Sequence, residues 1–308
     1  MAPALIHNDS YHVDHLHKRS LSTTSTKLKN GSTVPKVAEL DFNAYKTEQR
    51  LVQDIVESLK ISGGCVIRNM YKRSTLDSME AEIRPHLDAT GKADGRITSL
   101  MLHGTHQRTS ISAPQLSTTV TFSVRPGTTA QGLHRDDDIY HTQHPASATH
   151  HQGRDTMLCL FVAGKKCTRQ NGATRVVPGS HLWDYRAPPP VYPEGDSNPS
   201  SGDLDKFFHA EMAPGDAFMM LGGTYHGAGA NTTANEERLV YAAFATRGYL
   251  RQEENQYLAN DLEKIKELPI ALQRFAGFGA SKPYMGWVEM EEPVRIMNGE
   301  DAGDVEFW

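Results

Sequence analysis

The sequence predicts a mainly β protein of the jelly-roll or barrel type, with helices laid on one side of its sheets. Beyond residue 95, short runs rich in β-branched and aromatic residues alternate with turn residues, which is typical of strands joined by tight loops. Before residue 95, apolar positions recur at helical spacing instead. The clearest strand candidates are TTVTFSV (118–124), TMLCLFVA (156–163), ATRVVP (173–178), DAFMMLG (216–222) and RLVYAAFAT (238–246).

Helical segments flank this β-rich region on both sides. Apolar residues between Asn43 and Ile61 fall on one helical face, and the pair Gly63-Gly64 ends that segment. Ser74 is a suitable N-cap for a second helix. The remaining predictions are a strand at 65–70 and helical segments at 252–266 and 270–275.

Composition excludes several classes of protein. A formal net charge of −5 supplies no basic field to attract nucleic acid or anionic lipid. Three cysteines are too few for a disulfide framework and indicate a reducing compartment. No stretch reaches the roughly 18 apolar residues of a membrane span, and the N-terminus lacks the apolar core of a secretory signal. We therefore expect a cytoplasmic protein that binds neither nucleic acid nor membranes.

The chain is predicted to consist of an arm, one domain and a tail. Residues 1–35 are rich in Ser, Thr, His and Lys without a hydrophobic period, which indicates a flexible N-terminal arm. Residues 36–290 form a single jelly-roll domain with flanking helices, and residues 291–308 form a C-terminal tail. Within the domain, residues 186–203 are a long loop rich in Pro, Ser and Gly, a length typical of a functional lid or a disordered segment.

A metal site is predicted from the segment AQGLHRDDD, in which His134 and Asp136 are separated by one residue. In an extended strand, residues i and i+2 point to the same face, so the imidazole and the carboxylate would lie side by side. With a histidine from a distant strand they would make a 2-His-1-carboxylate site, whose open positions suit iron(II) oxygen chemistry. The triplet alone is weak evidence, because His12-Val13-Asp14 repeats it in the arm.

Two later residues strengthen this prediction. His226 follows directly after the apolar segment DAFMMLGG, and Arg238 stands at the head of the next predicted strand. A guanidinium near the metal suits a dicarboxylic cosubstrate, because arginine forms bidentate pairs with carboxylates.

Several segments together resemble the phytanoyl-CoA dioxygenase-like branch of the iron/2-oxoglutarate oxygenases. The resemblance is strongest to the fungal natural-product members, which tailor meroterpenoids, alkaloids and related scaffolds, and it covers roughly residues 40–290. The segments that carry it are AQGLHRDD (130–137), QNGATRVVPGSH (170–181), PGDA (214–217), GGTYHGAGANTT (222–233) with Arg238, RQEENQ (251–256) and PYMGWV (283–288).

The resemblance implies a double-stranded β-helix (jelly-roll, cupin-like) core with flanking helices. It also implies iron(II) as cofactor, 2-oxoglutarate as cosubstrate, O2 as oxidant and a homodimer. The metal ligands that it assigns are His134, Asp136 and His226. The cosubstrate residues that it assigns are Arg238 for the distal carboxylate, Gln131 and Thr174 for hydrogen bonds, and Arg96 as an upstream basic contact.

The activity implied is oxidation of a mostly apolar, polycyclic small molecule in fungal secondary-metabolite biosynthesis, by hydroxylation, desaturation, rearrangement or endoperoxidation. One alternative is a cupin-type metal-dependent isomerase or hydrolase, which has no need for Arg238 or Gln131. Another is a non-catalytic jelly-roll with a structural metal, although structural zinc sites usually include cysteine and none of the three lies in this constellation.

Expectations for the neighbouring residues follow from their positions. Tyr140, Met157 and Cys159 are candidates for the substrate cavity, although residues at such positions more often serve packing. Asp137 and Asp138 are expected to face outward or to bind neighbouring backbone, and Trp183 is expected in the core. A solvated loop is predicted for His141, His144, His150 and His151.

Overall fold

The structure is a computed structural model, and it describes residues 26–27, 33–90, 112–191, 206–283 and 285–299. Within these ranges the helices are α1 (Glu48–Ser62), α2 (Arg73–Thr90), α3 (Gln256–Ala259), α4 (Leu262–Lys266), α5 (Ile270–Gln273) and α6 (Pro293–Asn298). The strands are β1 (Thr26–Lys27), β2 (Thr33–Val34), β3 (Ala38–Asp41), β4 (Gly64–Arg68), β5 (Pro114–Val124), β6 (Met157–Ala163), β7 (Thr174–Val176), β8 (Phe208–His209), β9 (Ala217–Leu221), β10 (His226–Ala228) and β11 (Arg238–Arg247).

Two sheets face each other across the main core. The larger has the strand order β3-β4-β9-β6-β11-β5, and the smaller has the order β10-β7-β8. Neighbouring strands are antiparallel except for β3 and β4, which run parallel. The ring of Phe208 in the smaller sheet lies 6.2 Å from that of Phe218 in the larger sheet. This sandwich, with helices on one side, confirms the predicted mainly β jelly-roll.

The central strands alternate between two apolar environments, which explains why they are hydrophobic on both faces. In β6, Met157, Cys159 and Phe161 point into the core between the sheets. Leu160 and Val162 point to the opposite face, where helix α2 covers them. Successive side chains of a strand alternate in this way because its pleat has a period of two residues. Burial of each large apolar side chain stabilises the fold by about 1.5–3 kcal/mol.

Helix α1 covers the outer face of the larger sheet beside α2. Its residues Leu51, Ile55 and Leu59 pack with residues of β4 and β9. The helix begins later than predicted, because Thr47 accepts a hydrogen bond from the backbone N–H of Arg50 and acts as its N-cap. At the other end Gly63 adopts a left-handed φ of 79°, and its N–H donates to the carbonyl of Leu59. Glycine takes this conformation at least cost, so the predicted end of the helix is confirmed.

An ion-pair cluster joins α2 to the start of β11. Glu237 accepts from Arg84 Nη1 at 2.9 Å, Lys165 Nζ at 2.6 Å and Ser123 Oγ at 2.6 Å. Burial acts to raise the pKa of Glu237, but these hydrogen bonds outweigh it and lower that pKa to about 2. The cluster holds the residue that precedes Arg238, at the edge of the cavity described below.

The C-terminal part is a small cluster of helices. The segment predicted as one helix at 252–266 is two short ones, because Asn260 is extended and Asp261 caps α4. In α6, which lies in the predicted tail, Val294 is fully buried with Phe278 and Ile265. The division into arm, domain and tail stays a prediction. No helix in the described ranges is long and apolar enough to cross a membrane.

Candidate active site

His134, Asp136 and His226 converge at one end of the space between the sheets. Backbone hydrogen bonds join the two histidines in both directions, from His134 N to His226 O at 2.9 Å and from His226 N to His134 O at 3.0 Å. The N–H of Asp136 donates to the carbonyl of Gly222 at 2.9 Å. One possible ligand atom from each of the three residues lies within 4.8 Å of the others. In the part of the chain that the structure describes, they are the only group of three or more His, Cys, Asp or Glu with this geometry.

The local backbone differs from the strand that the His-x-Asp spacing predicts. His134 makes a single bridge to β10, Arg135 is extended (φ −114°, ψ 134°), and Asp136 begins a 3-10 turn that ends at Tyr140. The prediction of a continuous strand is therefore wrong. The side chains still converge as expected, because the backbone is extended up to Asp136 and the alternation of faces holds over that short distance.

In each of the two histidines, a hydrogen bond at Nδ1 orients the ring and leaves Nε2 facing the metal position. Nδ1 of His134 lies 2.9 Å from the carbonyl of Gly132, and Nδ1 of His226 lies 3.1 Å from that of Thr224. A carbonyl only accepts, so each Nδ1 carries the proton and each Nε2 keeps a free lone pair. The Nε2 atoms face Asp136, at 3.3 Å from Oδ1 and 3.4 Å from Oδ2. This hydrogen bonding of the outer nitrogen is what metal-ligating histidines make.

The electrostatics of the triad also favour a cation. Burial lowers the pKa of His226 and so favours its neutral, metal-binding form. Burial acts to raise the pKa of Asp136, but its interactions with His226 and His134 outweigh that effect and lower it. Asp136 is therefore an anion between two imidazoles, a donor set that fits a divalent metal.

Cys159 makes a hydrogen bond to the carboxylate of Asp136. Its Sγ lies 3.2 Å from Asp136 Oδ2. Cys159 is fully buried, and burial raises the pKa of its thiol well above the usual range, so the S–H donates to the carboxylate. The residue thus restrains one oxygen of the ligand.

A cavity of about 370 Å³ is lined in part by all three residues of the triad. Its wall is largely apolar and comes from both sheets and the turn after Asp136. The apolar residues that line it are Val120, Phe122, Val124, Ile139, Met157, Phe161, Ala228, Val240 and Phe244. The other lining residues are Thr118, Gln131, Arg135, Thr174, Arg238 and Glu253.

Arg238 lies in the wall of this cavity and is only 3% exposed. Its Nη1 donates to the carbonyl of Gly172 at 2.6 Å and to Thr174 Oγ1 at 3.4 Å, whereas its Nε has no partner within the described ranges. No carboxylate among the described residues pairs with it, and burial lowers the pKa of its guanidinium. A buried cation without an anion is costly. The guanidinium therefore fits a carboxylate that enters the cavity as a ligand.

Gln131 and Thr174 line the same cavity as Arg238. The Gln131 side-chain carbonyl accepts from the N–H of Ala228 at 3.3 Å, and Thr174 accepts from the guanidinium of Arg238. Arg175 donates to the backbone carbonyl of Gln131 and ties this segment to β7. Arg96 lies outside the described residues.

Of the three candidates for the substrate cavity, only Met157 is among its lining residues. Tyr140 OH lies 3.1 Å from Ser117 Oγ, and Cys159 bonds Asp136 instead. Trp183 was expected in the core, but it is 39% exposed, because it follows the turn at 180–182 and only one edge packs against Tyr225.

Two further expectations for polar residues are wrong in part, since Asp138, His141 and His151 are exposed as expected but their neighbours are not. Asp137 is buried rather than outward-facing: Tyr185 OH donates to its Oδ2 at 3.2 Å, and burial raises its pKa to about 7. His150 is part of a partly buried pair rather than of a solvated loop, with its Nε2 2.6 Å from Asp155 Oδ2. His144 is also held, with its Nε2 2.8 Å from the carbonyl of Arg154.

Sequence reasoning missed two residues of the site. The guanidinium of Arg135 lies between the rings of Tyr185 and Tyr225, at 3.9 and 3.7 Å from their centroids, and donates to the carbonyl of Gly223 at 2.9 Å. The alternation of the extended segment already placed it opposite the two ligands that flank it. Glu253, in the segment RQEENQ, also lines the cavity. The spacing of residues in that segment does not predict this position.

Comparisons with known proteins show which proteins this chain is similar to. Residues 112–239 match the family model described as Phytanoyl-CoA dioxygenase (PhyH). The dioxygenase cnsJ of Penicillium expansum is 32% identical over 87% of this chain and 91% of its own length. The dioxygenase himG of Aspergillus japonicus is 31% identical over 89% of this chain and 95% of its own. Among solved structures, the epimerase SnoN in complex with Fe3+, alpha ketoglutarate and nogalamycin RO aligns at 17% identity and a TM-score of 0.45, covering 70% of this chain and 91% of that one.

The matched region contains the triad, Arg238 and the residues beside it, and the relatives match almost the whole of both chains. These findings favour the dioxygenase prediction over the isomerase, hydrolase and structural-metal alternatives. The chain belongs to the phytanoyl-CoA dioxygenase family and is an enzyme of the 2-oxoglutarate-dependent, non-haem iron dioxygenase type.

Proposed function

We propose that His134, Asp136 and His226 bind the iron, and that Arg238 binds the distal carboxylate of 2-oxoglutarate with Gln131 and Thr174 beside it. The observation that carries this assignment is the buried guanidinium of Arg238, which has no carboxylate partner among the described residues and opens on the same cavity as the triad. Charge-assisted, bidentate hydrogen bonds to a carboxylate would satisfy it.

Each part of the site then has a distinct task. Iron with 2-oxoglutarate and O2 supplies the oxidising chemistry, in which 2-oxoglutarate becomes succinate and CO2 while the substrate is oxidised. The triad would hold the metal through two imidazoles and one carboxylate, beside the cavity that the same residues line. Arg238 fixes the orientation of the cosubstrate, and the apolar wall excludes water from the reacting atoms. The chain thus contributes orientation and exclusion of water rather than acid–base catalysis.

We further propose that the substrate is a mostly apolar, polycyclic small molecule, a fungal secondary metabolite. The nine apolar residues of the wall support an apolar body, and the cavity has the size of an ordinary small-molecule site. Hydroxylation, desaturation, rearrangement and endoperoxidation all remain compatible with this site, because the outcome depends on which carbon the substrate presents. The homodimer stays a prediction.

The test is the binding of iron(II) and 2-oxoglutarate under nitrogen. We expect the wild-type protein to develop the weak visible charge-transfer band of an iron–2-oxoglutarate complex. Asp136→Ala and His226→Ala should lose it together with 2-oxoglutarate-dependent succinate formation in air. His150→Ala is the matched control, since it removes a histidine that is also paired with an aspartate but does not line the cavity.

Two results would contradict the assignment. A full band and succinate formation in either triad variant would show that the iron ligands are misassigned. Iron binding without any 2-oxoglutarate band in the wild type would favour the cupin-type isomerase or hydrolase over the dioxygenase.

A further inference from the structure

We propose that Glu253 binds the substrate, and that the substrate carries a basic nitrogen, protonated when bound, attached to its apolar body. The inference rests on the proposed function, because it takes the triad and Arg238 as already occupied by iron and 2-oxoglutarate. It narrows the natural-product scaffolds that the resemblance implies to those with a basic nitrogen, and it assigns the residue that binds that nitrogen.

The first argument is what remains in the cavity once those ligands are assigned. Its charged lining residues are Asp136, Arg135, Arg238 and Glu253, apart from the histidines. Asp136 belongs to the metal site and Arg238 to the cosubstrate site. Arg135 is held between two tyrosine rings and by backbone carbonyls. Glu253 is thus the charged group left for the substrate, and no cation among the described residues pairs with its carboxylate.

The second argument is that the backbone of Glu253 is fixed. Its N–H donates at 3.1 Å to the hydroxyl of Ser117, which is fully buried in β5. The preceding Gln252 donates to the carbonyls of Leu116 at 2.6 Å and Ala276 at 2.9 Å. These contacts hold the backbone of the segment between β5 and the C-terminal helices, so Glu253 is anchored at the cavity wall rather than on a free loop.

The third argument is the charge of the loaded site. Iron(II), doubly ionised 2-oxoglutarate, Asp136 and Arg238 together sum to zero, and the remaining cation, Arg135, lies between two tyrosine rings and interacts electrostatically with the buried Asp137. Glu253 then leaves one negative charge without a counter-ion beside an apolar wall, and a protonated amine would balance it. Burial and the charge of Asp136 raise the pKa of Glu253, so the two carboxylates interact across the cavity.

The position of the carboxylate suits the entry of such a substrate. Glu253 and Ile139 are both exposed members of the cavity wall, with Ile139 at 48% exposure, so they lie where the cavity meets solvent. An amine bound there keeps partial contact with water, whereas its apolar body points inward between Phe122, Phe161 and Phe244. Placing the charge at the entrance avoids the cost of burying it fully.

The experiment compares three probes with one apolar cage and different charges: 1-adamantylamine, 1-adamantanol and 1-adamantanecarboxylate. Each is titrated calorimetrically, under nitrogen, into protein loaded with iron(II) and 2-oxoglutarate. We expect the amine to bind roughly fivefold more tightly than the alcohol, as for a partly exposed ion pair. The carboxylate should bind more weakly than both.

Two variants make the result specific to this side chain. Glu253→Gln should abolish the preference for the amine while leaving the iron–2-oxoglutarate band unchanged. Glu254→Gln is the matched control, because it neutralises the adjacent carboxylate, which is not among the lining residues, and should keep the preference.

The inference is overturned if the amine binds no more tightly than the alcohol, including the case in which neither binds, or if Glu253→Gln retains the preference. Failure of the proposed function looks different, since the iron–2-oxoglutarate band would then be missing before any probe is added. A preference lost equally in both variants would mean that the field of the whole segment, and not Glu253, selects the amine.

Discussion

Replacement of Arg238 by methionine should change cosubstrate affinity and protein stability in opposite directions. Arg238 is 3% exposed, and among the described residues its guanidinium makes hydrogen bonds to Gly172 and Thr174 only and leaves Nε without a partner. A buried cation without an anion costs several kcal/mol, of which hydrogen bonds to a charged group return about 1.5–3 kcal/mol. Methionine has similar length and no charge. We therefore expect Arg238→Met to stabilise the ligand-free protein by about 1–2 kcal/mol.

The same change should weaken 2-oxoglutarate binding. Truncating one partner of a buried charge pair costs at least about 2 kcal/mol, which raises Kd about 30-fold. At a concentration of 100 times the wild-type Kd, 2-oxoglutarate should stabilise the wild type by about 2.7 kcal/mol and the variant by about 0.9 kcal/mol. Urea unfolding with iron(II) under nitrogen, with and without 2-oxoglutarate, measures both quantities in one experiment.

The control lies at the other end of the same strand. Arg247 donates to the carbonyl of Asp155 at 2.6 Å and to Tyr249, and it does not line the cavity. Arg247→Met should leave the cosubstrate Kd unchanged and lower the free energy of unfolding. The reasoning is refuted if Arg238→Met binds 2-oxoglutarate within threefold of the wild type. It is also refuted if that variant is destabilised without ligand, because the guanidinium would then be satisfied by the fold itself.

Three further predictions concern the surroundings of the site. Cys159→Ala removes the donor to Asp136 and should lower iron affinity by about 10-fold in chelator competition, whereas Cys159→Ser should restore most of it; equal losses would exclude a hydrogen-bonding role. Glu237 has its pKa lowered to about 2, so its ionised form stabilises the fold above the ordinary value of 4.5 and this contribution is lost as the pH falls towards 2. Glu237→Gln should therefore destabilise by about 1 kcal/mol at pH 7 and by less at pH 3, and a loss that does not depend on pH would contradict this. Phe218→Ala empties a fully buried position between the sheets and should cost about 3–5 kcal/mol in urea unfolding; a loss below 1 kcal/mol would show that the core collapses around the gap.

Sequence patterns predicted the strands and helices well where both faces of an element are buried. Successive residues of β6 and β11 are mostly apolar, because one face of each strand packs in the core and the other packs against the helices. Helix α1 was predicted too long at its start, since its first turn depends on the capping hydrogen bond of Thr47. The break between α3 and α4 escaped prediction for the same reason, because a helical apolar pattern continues across a local cap.

The chemistry of the site was equally accessible from the sequence. The ligand preferences of histidine, aspartate and arginine are intrinsic to these residue types. They therefore identified the chemistry of His134, Asp136, His226 and Arg238 from the sequence. The spacing of His134 and Asp136 predicted their convergence even though the strand itself is only a bridge, because two extended residues suffice to set the faces.

Only the tertiary structure decided which other groups meet these residues. The thiol of Cys159 reaches Asp136, Tyr185 donates to the buried Asp137, and Glu253 lines the same cavity as the triad. Each contact joins segments far apart in sequence, and it depends on how the sheets, the turns and the C-terminal segment pack rather than on any local spacing. A residue's type determines its chemistry, and its position in the strand or helix period determines the face on which it lies. Its partners are determined by the packing of segments whose sequences do not predict one another.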